Sequence, residues 1–535
     1  MEINMQTKKK SIQHSILPPL LCSVVTGALV GAVVALFKLC AQTVIGYSGR
    51  MYAAIQTKWW IAVLLIAAFA GIAAVASYIY KKEPNVRGGG IPTSIGIVRG
   101  DIRFDWLKNL FASFGLSLAS FFVGVPLGTE GPSVQIGTAI GRGVSRAGAK
   151  RHAAWDRYIL TGGACAGFTA ATGAPISGIL FGLEEAHQRI SPLVFAMTAT
   201  ASAVAKMVSD VLSPILGVES HLFAPIHTVT LSTGELWLPV LIGLAAGVYS
   251  LGFLRYYKRL NGFFRKKLKK IPSFVKILTV FVLTLLFGVV SYSFISTGHG
   301  LIDTLLHGGG VWYILLAALL VRATLMILAS SSGITGGLFL PILALGAVIS
   351  ALLGKGMIAW CGLPQTYYLL IVVLGICASI AGMMKTPIIA ILFALEALSA
   401  ANNVLPVILT ASAAYLVTEL FYADSINDHV LEHRVSEIHE GKTAEAFDAQ
   451  ITVKNGSFAV GKQIRDILWP SDLRVLSLKK VSKGDTVVDA YGEKVLRPGD
   501  ELHVRYMTYD HAATHAELVA LVGEQNYEEE TVETV

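Results

Sequence analysis

Pro175-Ile176-Ser177-Gly178-Ile179-Leu180-Phe181-Gly182-Leu183-Glu184 returns 212 residues later as Pro387-Ile388-Ile389-Ala390-Ile391-Leu392-Phe393-Ala394-Leu395-Glu396, with seven of ten residues identical. Gly163 and Gly375 keep that offset, as do Cys165 and Cys377. A second echo, Pro132 with Gly137 and Pro341 with Gly346, recurs at an offset of 209. An apolar chain assembled from two related halves of roughly 200 residues reads as a membrane transporter. Its site is expected between the halves, on broken helices.

Composition points the same way. The 535 residues are 54% hydrophobic and 15% charged, too apolar for a soluble globular protein. Charge is unevenly spread. Residues 432–535 hold twelve basic and nineteen acidic residues, a net of −7, which leaves +15 on residues 1–431. The basic residues flank apolar spans, so they are read as membrane-side loops and not as a nucleic-acid surface. The five cysteines, Cys22, Cys40, Cys165, Cys361 and Cys377, have no paired spacing, and neither a disulfide framework nor a metal site is expected. His511 and His515 lack a third ligand and read as a surface pair.

Lys8-Lys9-Lys10 resemble the start of a signal peptide, but the apolar run from Ile16 to Ile45 is too long for a signal core. It reads as a first membrane helix behind a cytoplasmic tail, residues 1–15. The membrane region is expected over 16–431, with halves at about 16–215 and 235–431. The basic loop Arg265, Lys266, Lys267, Lys269 and Lys270 joins the halves and is placed in the cytoplasm. A linker follows at 432–446. Over 447–525, short alternating segments, a stretch Gly461 to Leu468 that suits a short helix, and Pro498-Gly499-Asp500 predict a small cytosolic α/β domain closed by a second helix. Residues 526–535, with Glu528-Glu529-Glu530, read as a disordered acidic tail. The fold class expected is thus an all-α polytopic membrane protein plus that small domain.

Three glycine-rich breaks stand out: Gly88-Gly89-Gly90-Ile91-Pro92, Gly128-Thr129-Glu130-Gly131-Pro132 and Gly336-Gly337-Leu338-Phe339-Leu340-Pro341. Each sets glycines ahead of a short candidate helix. A helix N-terminus offers unbonded N–H groups and partial positive charge, and glycine lets the backbone approach a ligand. Three converging termini would hold an anion without Lys or Arg. That suits conduction, because a full charge in low dielectric would release the anion too slowly. A single such break is more often a tight helix contact; three together favour an anion site.

Intramembrane carboxylates are costly and are read as functional by default. Glu184 and Glu396 keep the repeat and suit a structural role at helix ends. Glu130 lies inside the second break. Glu185 corresponds to Ala397 in the second half, so it breaks the repeat. Glu130 and Glu185 are therefore the candidates for ion gating and proton relay. Neither acid has a nucleophile–base pair or a metal motif nearby, so an intramembrane enzyme is not the reading.

The three breaks, in this order, resemble the CLC family of chloride channels and proton-coupled anion exchangers, over roughly residues 16–431. The resemblance implies two inverted halves, a homodimer with one anion pathway per subunit, and cytoplasmic ends in a bacterial inner membrane. No cofactor is implied; chloride and protons are the substrates and the lipid bilayer is the setting. Glu130 matches the family's gating glutamate. The amides of Thr129, Glu130, Gly131, Leu338 and Phe339 match its anion-coordinating backbone. Glu185 matches the internal proton glutamate of exchangers, which favours chloride/proton antiport over the runner-up, a passive channel. Gly89 stands where chloride-selective members usually have Ser, Thr129 where many have a basic residue, and Asn427 where most have Tyr. Fluoride-exporting members also lack that Tyr, which keeps fluoride as a minor alternative.

Residues 447–525 resemble the TrkA-C (RCK_C) module, through Phe458-Ala459-Val460-Gly461-Lys462, the strand Arg474 to Lys480, and Leu496-Arg497-Pro498-Gly499-Asp500-Glu501-Leu502. That resemblance implies a dimerising regulatory domain, in some relatives one for a cyclic dinucleotide. A passive dimer-stabilising role is the competing reading.

Overall fold

The computed structural model describes residues 2–148, 153–480, 486–524 and 529–532. Among these, ten helices are long and apolar enough to cross a membrane, from Leu17–Thr57 to Ala400–Leu420. The first helix begins at Glu2, so residues 2–15, expected as a tail, continue it. No glycine or proline interrupts them, and Met, Gln and Lys are good helix formers.

Helix boundaries follow local chemistry. Asp105 caps the Trp106–Val123 helix by accepting from the amides of Leu107 and Lys108, and Gly124 closes it at φ 84°. Ser191, with Pro192 behind it, opens Pro192–Leu216. Two apolar runs, 155–186 and 367–398, are each broken at the prolines where 175–186 and 387–398 were expected to begin. The first becomes Asp156–Thr172, a short helix Pro175–Leu180 and a π-turn Phe181–Ala186. The second becomes Tyr368–Ser379, a π-turn Ile380–Met384 and the helix Pro387–Ala397. The prolines enforce the restarts, since neither can donate to the preceding turn.

The repeated sequence has a physical use. Glu184 accepts from the amides of Ile388 (2.9 Å) and Ile389 (2.7 Å), at the start of Pro387–Ala397. Glu396 accepts from the amides of Ile176 and Ser177, each at 2.8 Å, and from the Ser177 hydroxyl (2.7 Å). Each half thus caps the other half's short helix, satisfying amides that a bilayer cannot. The second echo is also structural. A Cβ on Gly137 would strike the Gly163 carbonyl, and one on Gly163 the Gly137 carbonyl. In the second half a Cβ on Gly346 would lie 2.8 Å from the Gly375 oxygen, and one on Gly375 3.0 Å from the Gly346 oxygen. Small residues let these two helix pairs cross backbone to backbone.

Buried cations hold irregular backbone. Arg322, only 2% exposed, donates to the carbonyls of Ser293, Ile295 and Ser296 across the turn before His299–Leu306. Lys38 donates to the Glu219 carbonyl at 2.7 Å.

The C-terminal part is a small α/β domain around its own apolar core, which includes Ile451, Leu478, Leu502 and Leu518. Its five strands are β1 (Glu445–Thr452), β2 (Arg474–Lys480), β3 (Thr486–Asp489), β4 (Glu501–Thr508) and β5 (Glu529–Val532). They run in the order β3-β2-β4-β1-β5, all neighbours antiparallel, with His511–Val522 packed on the core. Two expectations are corrected. The segment 461–468 holds only a single 3-10 turn, Ile464–Asp466, where a helix was expected. Residues 529–532 pair with 446–449 of β1, and so are not a disordered tail. An edge strand offers free amides and carbonyls whatever the charge of the segment that takes them. Residues 526–528 and 533–535 lie outside the described residues. The charge change near 431 falls within a helix, Ile426–Ile438, that carries the membrane part toward the domain.

Candidate ion pathway at the glycine breaks

The three breaks meet. Gly128 and Gly337 form a two-residue antiparallel bridge, amide to carbonyl in both directions (2.7 and 2.8 Å). Gly88 donates to the Gly333 carbonyl (3.2 Å) and accepts from Gly336 (3.3 Å). A Cβ on Gly131 would lie 2.9 Å from the Gly89 oxygen and against Gly337 Cα, and one on Gly90 would overlap the Gly131 carbonyl. Gly90, at φ 52°, excludes a side chain twice over. The glycines are therefore needed for backbone contact among three helix starts: Ile91–Arg99, Glu130–Gly148 and Phe339–Cys361. Their first amides have no intrahelical acceptor.

Thr129, Glu130, Gly131, Leu338, Phe339 and Gly89 all belong to this junction. The Phe339 ring is wedged edge-on between Phe168 (5.1 Å) and Phe393 (5.2 Å), one ring from each half, which fixes the start of its helix. Glu130 is fully buried. Its Oε1 accepts a long bond from the Thr129 hydroxyl (3.4 Å). Its Oε2 makes no hydrogen bond of regular geometry. Buried among helix-start amides, with those of Glu130 and Leu340 facing it, this carboxyl can compete with an anion for the same donors.

Glu185 lies apart from this junction, on the π-turn, 5% exposed. Its Oε1 accepts from Asn427 Nδ2 at 2.9 Å. Among the described residues no hydrogen bond or ion pair joins Glu185 to Glu130. Sequence reasoning missed Arg99, which donates to the carbonyls of Glu185 (3.0 Å) and Ala186 (2.7 Å) and lies 3.9 Å from Asp428. It ties the π-turn to the helix that carries Asn427. Its signal was a lone cation ending an apolar helix just before Gly100.

The small domain docks on the side of Glu185. Arg157 donates to the Trp469 carbonyl and to Glu517, and Tyr158 donates to the Asp466 carbonyl while accepting from the Leu468 amide. Trp155 meets Phe458 edge to face at 4.8 Å. A cavity of about 990 Å³ opens there between domain and helices, lined by Arg99, Arg157, His187, Arg189, Lys442 and Arg474 among others. His511 and His515 have rings 6.1 Å apart on the closing helix. Among the described residues no group of three or more metal-ligating side chains is found.

Known proteins are similar to this chain in sequence or in fold. The "H(+)/Cl(-) exchange transporter ClcA" of Vibrio cholerae (strain O395) is 30% identical over 381 residues, 70% of this chain and 80% of that one. Two solved structures, each 20% identical, share the fold. A slow cyanobacterial Cl−/H+ antiporter gives a TM-score of 0.70 over 78% of this chain and 98% of its own. A CLC-type fluoride/proton antiporter gives 0.61 over 75% and 95%. The fold therefore does not choose the anion. The family profile described as voltage gated chloride channel matches residues 72–419, and with the relative of 30% identity it establishes that this multi-pass membrane protein belongs to the CLC family.

Proposed function

We propose that this chain exchanges chloride for protons across the bacterial cytoplasmic membrane, as a homodimer with both ends in the cytoplasm. One observation carries the reading: a fully buried Glu130 sits where three helix starts of both halves converge. Charged, Glu130 takes the anion's place on the amides; protonated, it leaves them to chloride. The helix dipoles supply attraction without a fixed positive charge, so release stays fast. The chloride relative named above supports the anion.

Glu185 is the second proton station in this scheme. Burial makes its charge expensive, and the Asn427 amide is the donor that stabilises it when ionised. Protons reach it from the side of the docked domain, and the anion does not touch it. Asn427 also bounds the inner end of the anion path, and Gly89 lines the central position. A passive anion pathway is the second reading. It is favoured by the shortness of Asn427, which makes a looser inner gate, and by the missing hydroxyl at Gly89, which weakens the central position.

The domain at 447–525 regulates transport in this proposal. Its docking residues pack beside Leu183, two positions from Glu185. A small cytosolic ligand, a cyclic dinucleotide by the TrkA-C likeness, would act only if it binds the two conformations of this contact unequally. The deciding experiment is uphill proton pumping by a chloride gradient in proteoliposomes. Chloride flux with no proton movement in the native protein would leave the passive reading.

A further inference from the structure

A second polar cavity, of about 120 Å³, borders the first glycine break at Gly88. Four cations line it: Arg87 ahead of Gly88, Arg265 on the basic connection between halves, Lys276 early in Ser273–Val290, and Arg434 on Ile426–Ile438. Among its described lining residues Glu437 is the single carboxylate. That acid is already divided, one oxygen 3.2 Å from Arg265 and the other 3.3 Å from Arg434.

The donors outnumber the acceptors. Arg434 is only 7% exposed, yet its Nε and Nη2 have no partner. Arg87 Nε is likewise unpartnered; its Nη2 donates to the Ser273 hydroxyl at 3.3 Å. The hydroxyls of Ser331 and Ser332, which also line the cavity, are buried and unbonded. Buried guanidinium nitrogens without acceptors are costly, and a fold keeps them where something else supplies the acceptors. Two guanidinium forks, an ammonium and two hydroxyls around one small space match a tetrahedral oxyanion of charge −2. Chloride, a single monovalent sphere, would use few of these donors.

We infer that this cavity binds a phosphate monoester group, either free inorganic phosphate or the headgroup of a lipid such as phosphatidic acid. Its walls are the segments that position the pathway. Arg87 and Gly88 lead into Gly89 and Gly90; Ser330 to Gly333 lead into Gly336 and are bonded to Gly88; Arg434 is on the helix that begins beside Asn427. A bound phosphate cross-links the three and restrains the Asn427 helix, so occupancy slows transport.

The test uses the full-length protein in saturating chloride, so that the pathway itself is filled. Inorganic phosphate is titrated by calorimetry and by thermal unfolding, against native protein, Arg434→Gln, Arg87→Gln and Ser332→Asp. The native protein is expected to bind one phosphate per chain with a rise in Tm. Either arginine variant should weaken binding at least tenfold, and Ser332→Asp, which sets a carboxylate among the cations, should abolish it. If Arg434→Gln does not fold, the half-buried Arg87 and Ser332→Asp decide. In the lipid arm, chloride flux is measured in phosphatidylethanolamine/phosphatidylglycerol vesicles with and without phosphatidic acid. Slowing by phosphatidic acid in the native protein but not in Arg87→Gln, with no heat from free phosphate, identifies the lipid as source; the converse identifies the free ion. No response to either source, or equal responses in all variants, overturns the inference. Binding is read without proton coupling, so failure here leaves the exchange proposal standing, and failure of exchange leaves this one.

Discussion

Gly89→Ser isolates one hydrogen bond at the proposed central anion position. The backbone there needs no glycine: Gly89 is not at positive φ, and a Cβ would meet Pro92 Cδ at 3.4 Å and Leu338 Cγ at 3.6 Å, ordinary contacts. The serine should therefore fold without strain, and its hydroxyl adds one neutral donor toward the anion. A neutral hydrogen bond contributes about 0.5–1.5 kcal/mol net, which converts to roughly two- to twelve-fold in Kd. Calorimetric titration with chloride at fixed pH reads that change directly, and bromide and nitrate titrations read selectivity. Gly90→Ser is the control, because φ 52° and overlap with the Gly131 carbonyl forbid it; that variant should lose its folded state. Chloride affinity and anion order both unmoved in a well-folded Gly89→Ser protein would remove Gly89 from the anion path.

Glu130→Gln, a neutral mimic of the protonated acid, should keep chloride flux and lose proton flux when both are recorded from the same vesicles. Glu185→Gln should cut proton flux at least tenfold with chloride affinity intact, since the Gln carbonyl still accepts from Asn427; loss of chloride binding would mark Glu185 as structural. Glu184→Ala and Glu396→Ala each remove charged caps worth about 1.5–3 kcal/mol per hydrogen bond, so both should lower Tm sharply, Glu396→Ala the more because it also serves Ser177. Deleting 443–535 should change flux rate, or its response to cyclic dinucleotide, without changing anion preference; native flux under every condition would make the domain a passive clamp.

The broken-helix membrane fold was readable because its rules are strict. A bilayer leaves unpaired backbone nowhere to go, so glycine-proline breaks in apolar runs had to meet other protein. The purpose of the breaks at Gly128 and Gly337, a mutual backbone bridge, needed coordinates, because nothing in either segment names its partner. The same holds for the π-turns at 181–186 and 380–384, which no periodicity separates from ordinary helix in such uniformly apolar stretches. Arg99 and Arg157 were passed over for a related reason. Single cations at the ends of apolar spans look like membrane flanks, and only their acceptors across the fold show that they position Glu185 and the small domain. β5 was hidden by its charge, which bears on solvation but not on backbone pairing.

The two-fold repeat itself separates structure from chemistry. Residues that obey it do mechanical work in both halves: Glu184 and Glu396 cap each other's short helices, and the glycine pairs Gly137–Gly163 and Gly346–Gly375 form equivalent crossings. The residues proposed to carry protons disobey it. At the offset of 209, Glu130 corresponds to Phe339, and at the offset of 212, Glu185 corresponds to Ala397. A strictly symmetric site would give a proton the same station at the same depth from either side, and nothing would order its passage relative to the anion's. An apolar residue in place of one copy of each acid breaks that equivalence. Phe339, locked between Phe168 and Phe393, holds the second helix start rigid while Glu130 occupies the first. In the proposed scheme, Glu185 on the domain side alone gives protons an exit that the anion does not share. On this argument Ala397→Glu, which restores the symmetry, should leave the fold's paired caps intact. It should also degrade coupling by offering protons a second, misplaced station, seen as fewer protons moved per chloride at unchanged chloride affinity.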